Sequence, residues 1–238
     1  MKFAFPARCL TVALFPLLIT AGAVESAPAP PPAAIVVGFV GGFVRHNDEA
    51  HREVQLADEL RRDYRSGVDV EVFANHAGQA HNRILKLLDA DRDGIVSGEE
   101  KSRARIVLYG HSWGASEVVA TARALQGDGI PVLLTIQVDS VRKPGENDGL
   151  IPANVAEAVN FFQLDGLLHG RRRIVASDPA KTHILGNFQS SYRTKRINTE
   201  TYPWYARMFM GPHIEIEADP GVWNRVESLI RSKLGPIT

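Results

Sequence analysis

Of the 238 residues, one is a cysteine, Cys9. It falls among the first ten residues, so a chain cut after a leader would hold no thiol. Disulfide staples and Cys-ligated metal centres are then excluded. Charge of one sign is lacking too. Lys and Arg number 27 and Asp and Glu number 27. Without a basic field nothing points to nucleic acid, and without an acidic one nothing points to a cationic partner. Beyond residue 23 there is no apolar run near the roughly 20 residues of a membrane-spanning helix. Internal repeats are absent, and no composition shift marks a second folded domain.

The N-terminus is different in kind. "MKFAFPAR" carries two positive charges, "CLTVALFPLLITAGAV" is almost wholly apolar, and Ala21, Gly22 and Ala23 form a small-x-small cleavage signal. That is the layout of a secretory signal peptide over residues 1–23. The apolar run is short for a span and has Pro16 inside it. A secreted or periplasmic protein is expected, with no stable membrane insertion after cleavage. "ESAPAPPPAA" follows, too rich in proline for helix or sheet ladders. Residues 24–34 therefore read as a linker to a domain over 35–238.

From there strand and helix signals alternate. "AIVVGFVGGF", "VDVEVFANH", "ARIVLYG" and "IPVLLTIQVD" are apolar or alternating runs rich in β-branched residues, and they read as strands. Helices are read in "NDEAHREVQLADELRRDYRSG", "AHNRILKLL", "ASEVVATARALQGDG", "NVAEAVNFFQL" and the closing "DPGVWNRVESLIRSKLG". "RRRIVASD" reads as one further strand. Such repetition with buried strands predicts an α/β fold, a mostly parallel sheet covered by helices on both faces.

Gly110-His111-Ser112-Trp113-Gly114 sits between the "RIVLY" strand and the "ASEVVATARAL" helix. A lone GxSxG means little, but this one has the strand–turn–helix context that a nucleophile turn requires. Flanking glycines let the backbone turn sharply and project Ser112 at the carboxyl end of a strand. The helix that follows brings free N–H groups and a positive dipole end close to a developing oxyanion. A serine hydroxyl also needs a base, and the base an orienting acid.

On this motif and strand pattern the chain resembles the α/β-hydrolase superfamily, of the bacterial lipase/esterase type, over most of residues 35–234. The resemblance implies a serine hydrolase cleaving carboxylic esters through an acyl-enzyme, with acid and histidine following the serine in chain order. His213, in a loop running into the last helix, then stands where the family has its base; His169 and His183 come earlier. The acid is open among Asp139, which ends "VLLTIQVD", Asp178, which ends "RRIVASD", and Asp148; Asp139 is the first choice. Oxyanion donors would be the N–H groups of Trp113 and of Gly42, in the glycine pair after the first strand. Tyr202, Trp204, Tyr205, Met208, Phe209 and Met210, with Trp113 and Phe43, would either line an acyl pocket or form core. A small-molecule or lipid-like ester substrate is expected, and no organic cofactor. A thioesterase, amidase or acyltransferase would use the same groups. A calcium-dependent binding protein on an inactive scaffold is the rival from another class.

One motif is foreign to that picture. Asp89, Asp91, Asp93, Gly94 and Glu100 match the EF-hand loop pattern D-x-D-x-D-G-x5-E over residues 89–100. Oxygens of the three aspartates would point inward, Gly94 would allow the sharp turn, and Ile95 would offer its carbonyl. Ser97 would act through water, and Glu100 would close the site. The exiting helix is at most "GEEKSRA" and there is no second loop to pair with, so a structural Ca2+ is expected here and not a switch.

Overall fold

Strand and helix alternate along the chain in the computed structural model, which describes Met1 and residues 32–236. Met1 apart, the leader lies outside the described residues, as does the linker up to residue 31. No helix among the described residues is long and apolar enough to cross a membrane.

Six strands form one parallel sheet. In chain order they are β1 (Ala34–Phe39), β2 (Val68–Phe73), β3 (Ile106–His111), β4 (Val132–Val138), β6 (Val155–Gln163) and β8 (His183–Ser190); their order across the sheet is β2-β1-β3-β4-β6-β8. Two short strands, β5 (Leu150–Ile151) and β7 (Val175–Ala176), pair separately. Every position of β1 and of β3 is buried, as expected of central strands covered on both faces. On edge strands β2 and β8 burial is only partial.

The helices divide between the two faces. On one, α1 (Arg52–Asp63) and α7 (Pro220–Leu234) bury Leu56, Leu60, Trp223 and Ile230 against Val36, Tyr109 and Ile136. On the other, α2 (Ala77–Leu88) and α4 (Trp113–Gly127) bury Ile84, Leu88, Val118 and Leu125 against Ile35, Phe39 and Leu108. Neighbouring residues of β1 feed opposite cores, the period-2 signature of a strand. At about 1.5–3 kcal/mol for each fully buried large apolar side chain, these two cores supply most of the drive to fold. Three short helices complete the described residues: α3 (Gly98–Ser102), α5 (Trp204–Phe209) and α6 (Gly211–Ala218).

The expected fold class is the observed one, with two local corrections. "NVAEAVNFFQL", read as a helix, is β6, sandwiched between β4 and β8. A short apolar run buried on both faces shows no period, and periodicity cannot separate such a strand from a buried helix. "RRRIVASD" contributes only two-residue β7, outside the main sheet, whereas the unread "HILGNFQS" is edge strand β8.

The strand order reverses between β1 and β3, since β1 leads to β2 on one side and β3 to β4 on the other. In an open parallel sheet the crevice outside the carboxyl ends at such a reversal is where ligands bind. The turns after β1 and β3 meet there.

Candidate active site

The turn after β3 is sterically determined. A Cβ on Gly110 would lie 2.7 Å from the Gly114 backbone, and one on Gly114 would lie 2.2 Å from the Phe39 carbonyl oxygen. Both glycines of the motif are therefore required for β3, α4 and the β1 turn to approach one another. Between them Ser112 adopts φ 58° and ψ −126°. That is a strained backbone for a residue with a Cβ, and strain of this kind collects at functional sites. Three hydrogen bonds hold it: the Ser112 N–H donates to the Val138 carbonyl, and its own carbonyl accepts from Ala115 and Val141.

His213 comes from α6, one short helix before α7, instead of from a loop. Its Nε2 lies 2.8 Å from Ser112 Oγ and its Nδ1 lies 2.7 Å from Asp139 Oδ2. A carboxylate oxygen only accepts, so Nδ1 carries the proton and Nε2 accepts from the serine hydroxyl. This is the geometry in which a serine can be deprotonated as it attacks.

Asp139 follows β4, is fully buried and has φ 44°. Besides His213, its carboxylate accepts from the Gln163 N–H at 3.1 Å, the Gln163 side-chain amide at 2.8 Å and the Gly170 N–H at 2.7 Å. A Cβ on Gly170 would sit 2.4 Å from the Asp139 backbone, so only glycine brings that N–H so close. Nothing local in the sequence marks Gln163 or Gly170 as a partner of Asp139.

The other candidates are placed elsewhere. Asp148 is fully buried but is bound by Ser140 Oγ at 2.6 Å and by the Arg171 guanidinium. Asp178 sits in an exposed turn, accepting from the Ala180 N–H and facing Lys181. The His169 ring approaches the Gly170 carbonyl, and His183 opens β8 at the opposite edge of the sheet.

The glycine pair after β1 lies beside the serine. Gly41 is the closer member, its Cβ direction ending 2.8 Å from Ser112 Cβ, while Gly42 has φ 48° and open space around it. Neither glycine N–H, nor that of Trp113, has a partner among the described residues. Above them opens a cleft of about 840 Å3. Phe43, Trp113, Tyr202, Tyr205 and Met210 border it, with Phe43 and Trp113 packed edge to face. Trp204, Met208 and Phe209 are exposed on α5 and belong to neither core.

His111 is buried against His213, ring centroids 4.5 Å apart, and its Nε2–H donates to the His213 carbonyl at 3.1 Å. Burial, with the neighbouring His213 and His51, holds its pKa well below the usual histidine range. Burial also raises the Glu53 carboxyl well above the carboxylate range, helped by Glu217, and pushes Glu217 up to about 7.

The EF-hand-like loop lies at the other end of β3. The carboxylates of Asp89, Asp91 and Asp93 converge within 4.8 Å of one another. Gly94 turns with φ 86°, Ile95 points outward and Val96 packs on the core. Glu100 does not join the aspartates. Its oxygens accept from the Ala90 and Ser97 N–H groups in a capping box, which lowers its pKa.

No family model matches the chain, and no curated protein does. Among solved structures it is similar to a cutinase-like protein from Cryptococcus sp., with 14% identity and a TM-score of 0.44 over 88% of this chain and 100% of that one. A thioesterase of the prodiginine pathway in Streptomyces coelicolor has 11% identity and a TM-score of 0.38, over 91% of this chain and 98% of its own. An arylesterase has 19% identity and a TM-score of 0.30 over 47% of this chain and 38% of its own. No residue's role carries over at such identities.

Proposed function

We propose that this protein is a secreted or periplasmic serine hydrolase that cleaves carboxylic esters through an acyl-enzyme. The observation that carries the proposal is the unbroken chain Ser112 Oγ, His213 and Asp139, built on a strained serine. Ser112 Oγ attacks the ester carbonyl while His213 Nε2 takes its proton. Asp139, held by Gln163 and Gly170, keeps the ring in the required tautomer and offsets the charge it gains. The Trp113 N–H and the Gly41–Gly42 turn face the developing oxyanion. His213 then protonates the leaving alcohol, and water repeats the sequence on the acyl-enzyme to free the acid. The mostly apolar cleft suits an acyl chain.

Calcium at residues 89–100 forms part of the same proposal, as a brace. Three converging carboxylates, a left-handed Gly94 and an inward Val96 fit the ion; Glu100 would turn from its capping bonds to complete the set.

Hydrolysis of p-nitrophenyl esters of graded acyl length tests the activity, and a fluorophosphonate probe tests the nucleophile. Ser112→Ala is expected to lose on the order of 10⁶ in kcat and all labelling. A labelled Ser112→Ala protein would remove Ser112 from the mechanism.

A further inference from the structure

Next to His111 lies a second cluster that the ester chemistry does not use. His51 precedes the first residue of α1, Glu53 stands in that helix's first turn, His111 ends β3 and Glu217 lies on α6. Ligand atoms of His51, Glu53 and Glu217 lie within 4.8 Å of one another. His51 Nδ1 is 2.5 Å from Glu217 Oε1, and His111 Nδ1 is 3.3 Å from Glu217 Oε2 and 4.0 Å from Glu53 Oε1.

Glu53 makes the cluster unusual. Its side chain is fully buried, and neither carboxylate oxygen has a hydrogen-bond partner among the described residues. A carboxyl buried without donors is held in its neutral form unless a cation arrives to match its charge. The helix dipole at the first turn of α1 favours the charge too weakly to replace such a cation. Asp139, equally buried, has four N–H donors around it. The surroundings of Glu53 instead offer a second carboxylate and imidazole nitrogens.

We propose that His51, Glu53 and Glu217, with His111 beside them, form a binding site for a divalent transition-metal ion of the zinc class. One dication neutralises both carboxylates, and His51 supplies a third ligand, which with one open position is the three-ligand set such ions take. Nitrogen donors beside carboxylates favour a first-row transition metal over calcium or magnesium, which prefer all-oxygen shells. His111 suits a place beside the ion: its Nε2–H donates to the His213 carbonyl, which leaves Nδ1 unprotonated and facing Glu217. His51, His111 and Glu217 also border the cleft, which gives the ion an entry path. The site stands whether or not the chain cleaves esters.

The test uses untagged protein carrying Asp91→Ala and Asp93→Ala, stripped with chelator and then dialysed, so that the EF-hand-like loop cannot contribute. Zn2+ is titrated calorimetrically, Co2+ by visible absorbance, and the melting temperature is followed with each. One ion per chain is expected, with the intense Co2+ bands of a four-coordinate site and a higher melting temperature. Glu53→Gln and, separately, the more exposed His51→Ala are expected to weaken binding by about tenfold or more. Should Glu53→Gln fail to fold, His51→Ala and the parent titration still decide. Absence of binding up to millimolar metal, or affinity unchanged in the variants that fold, would overturn the site and leave protons to neutralise the two glutamates.

Discussion

Asp139 and Asp148 are nine positions apart, both fully buried, and both stood as candidates for the acid. Their partners differ. Asp139 faces neutral N–H donors and a histidine ring, with no lysine or arginine paired to it among the described residues. Asp148 is already matched by the Arg171 guanidinium and the Ser140 hydroxyl. A carboxylate neutralised by a resident cation has little left to offer a ring that becomes charged during reaction. One held only by dipoles keeps its full charge for that ring. Burial alone therefore does not identify a catalytic acid; what the carboxylate is already paired with does.

The comparison predicts opposite outcomes for the same chemical change. Asp139→Asn is expected to cost on the order of 10⁴ in kcat, because the amide favours the wrong tautomer of His213. Its melting temperature is expected to move little, since Gln163 and Gly170 can still donate to the remaining oxygen. Asp148→Asn is expected to leave kcat within a few-fold of the parent and to cost about 3 kcal/mol of stability, by stranding the half-buried Arg171. Urea unfolding and ester turnover, measured on both variants, test the pair. A larger turnover loss in Asp148→Asn would reverse the assignment.

Gly170 sharpens the same contrast from a distance. Gly170→Ala places a methyl where the Asp139 backbone stands, and must move Asp139 away from the ring. A misplacement of about 1 Å can cost on the order of 10² in rate. The loss is expected in kcat with KM nearly unchanged, because Gly170 does not border the cleft. A rise in KM alone would mean that the loop acts on substrate and not on the acid.

What could be read in the sequence and what could not divide along a physical line. The turn at Ser112 is local: two glycines, a strand before and a helix after are all consecutive residues. The alternation that foretold the parallel sheet is likewise a sum of local patterns. The partners of Asp139 are not local, since Gln163 and Gly170 reach it only once β6 and the loop after it are in place. Reading β6 as a helix removed Gln163 from view and gave Asp178 a strand end that the main sheet does not have. Glu53 and Glu217 are far apart in sequence and share no motif, so only packing brings them together.

The two ends of β3 carry the last and smallest prediction. Ser112 follows its carboxyl end, while the aspartate loop, between α2 and α3, precedes its amino end. Six residues at about 3.3 Å each separate them by roughly 20 Å, too far for an ion in the loop to touch the reacting atoms. A calcium ion there would tie the end of α2, anchored by Leu88, and Val96 of the loop to the start of the strand that leads to Ser112. At a hundred times its dissociation constant a ligand stabilises the native state by about 2.7 kcal/mol. Loops of this kind outside the cell can work with dissociation constants of about 10⁻⁴–10⁻³ M. A chelator selective for calcium over zinc is therefore expected to lower the melting temperature by several degrees. Initial kcat below that temperature is expected to stay near the parent value, and Asp91→Ala with Asp93→Ala to abolish the response. Loss of turnover at an unchanged melting temperature would instead connect the loop to the chemistry at the far end of the strand.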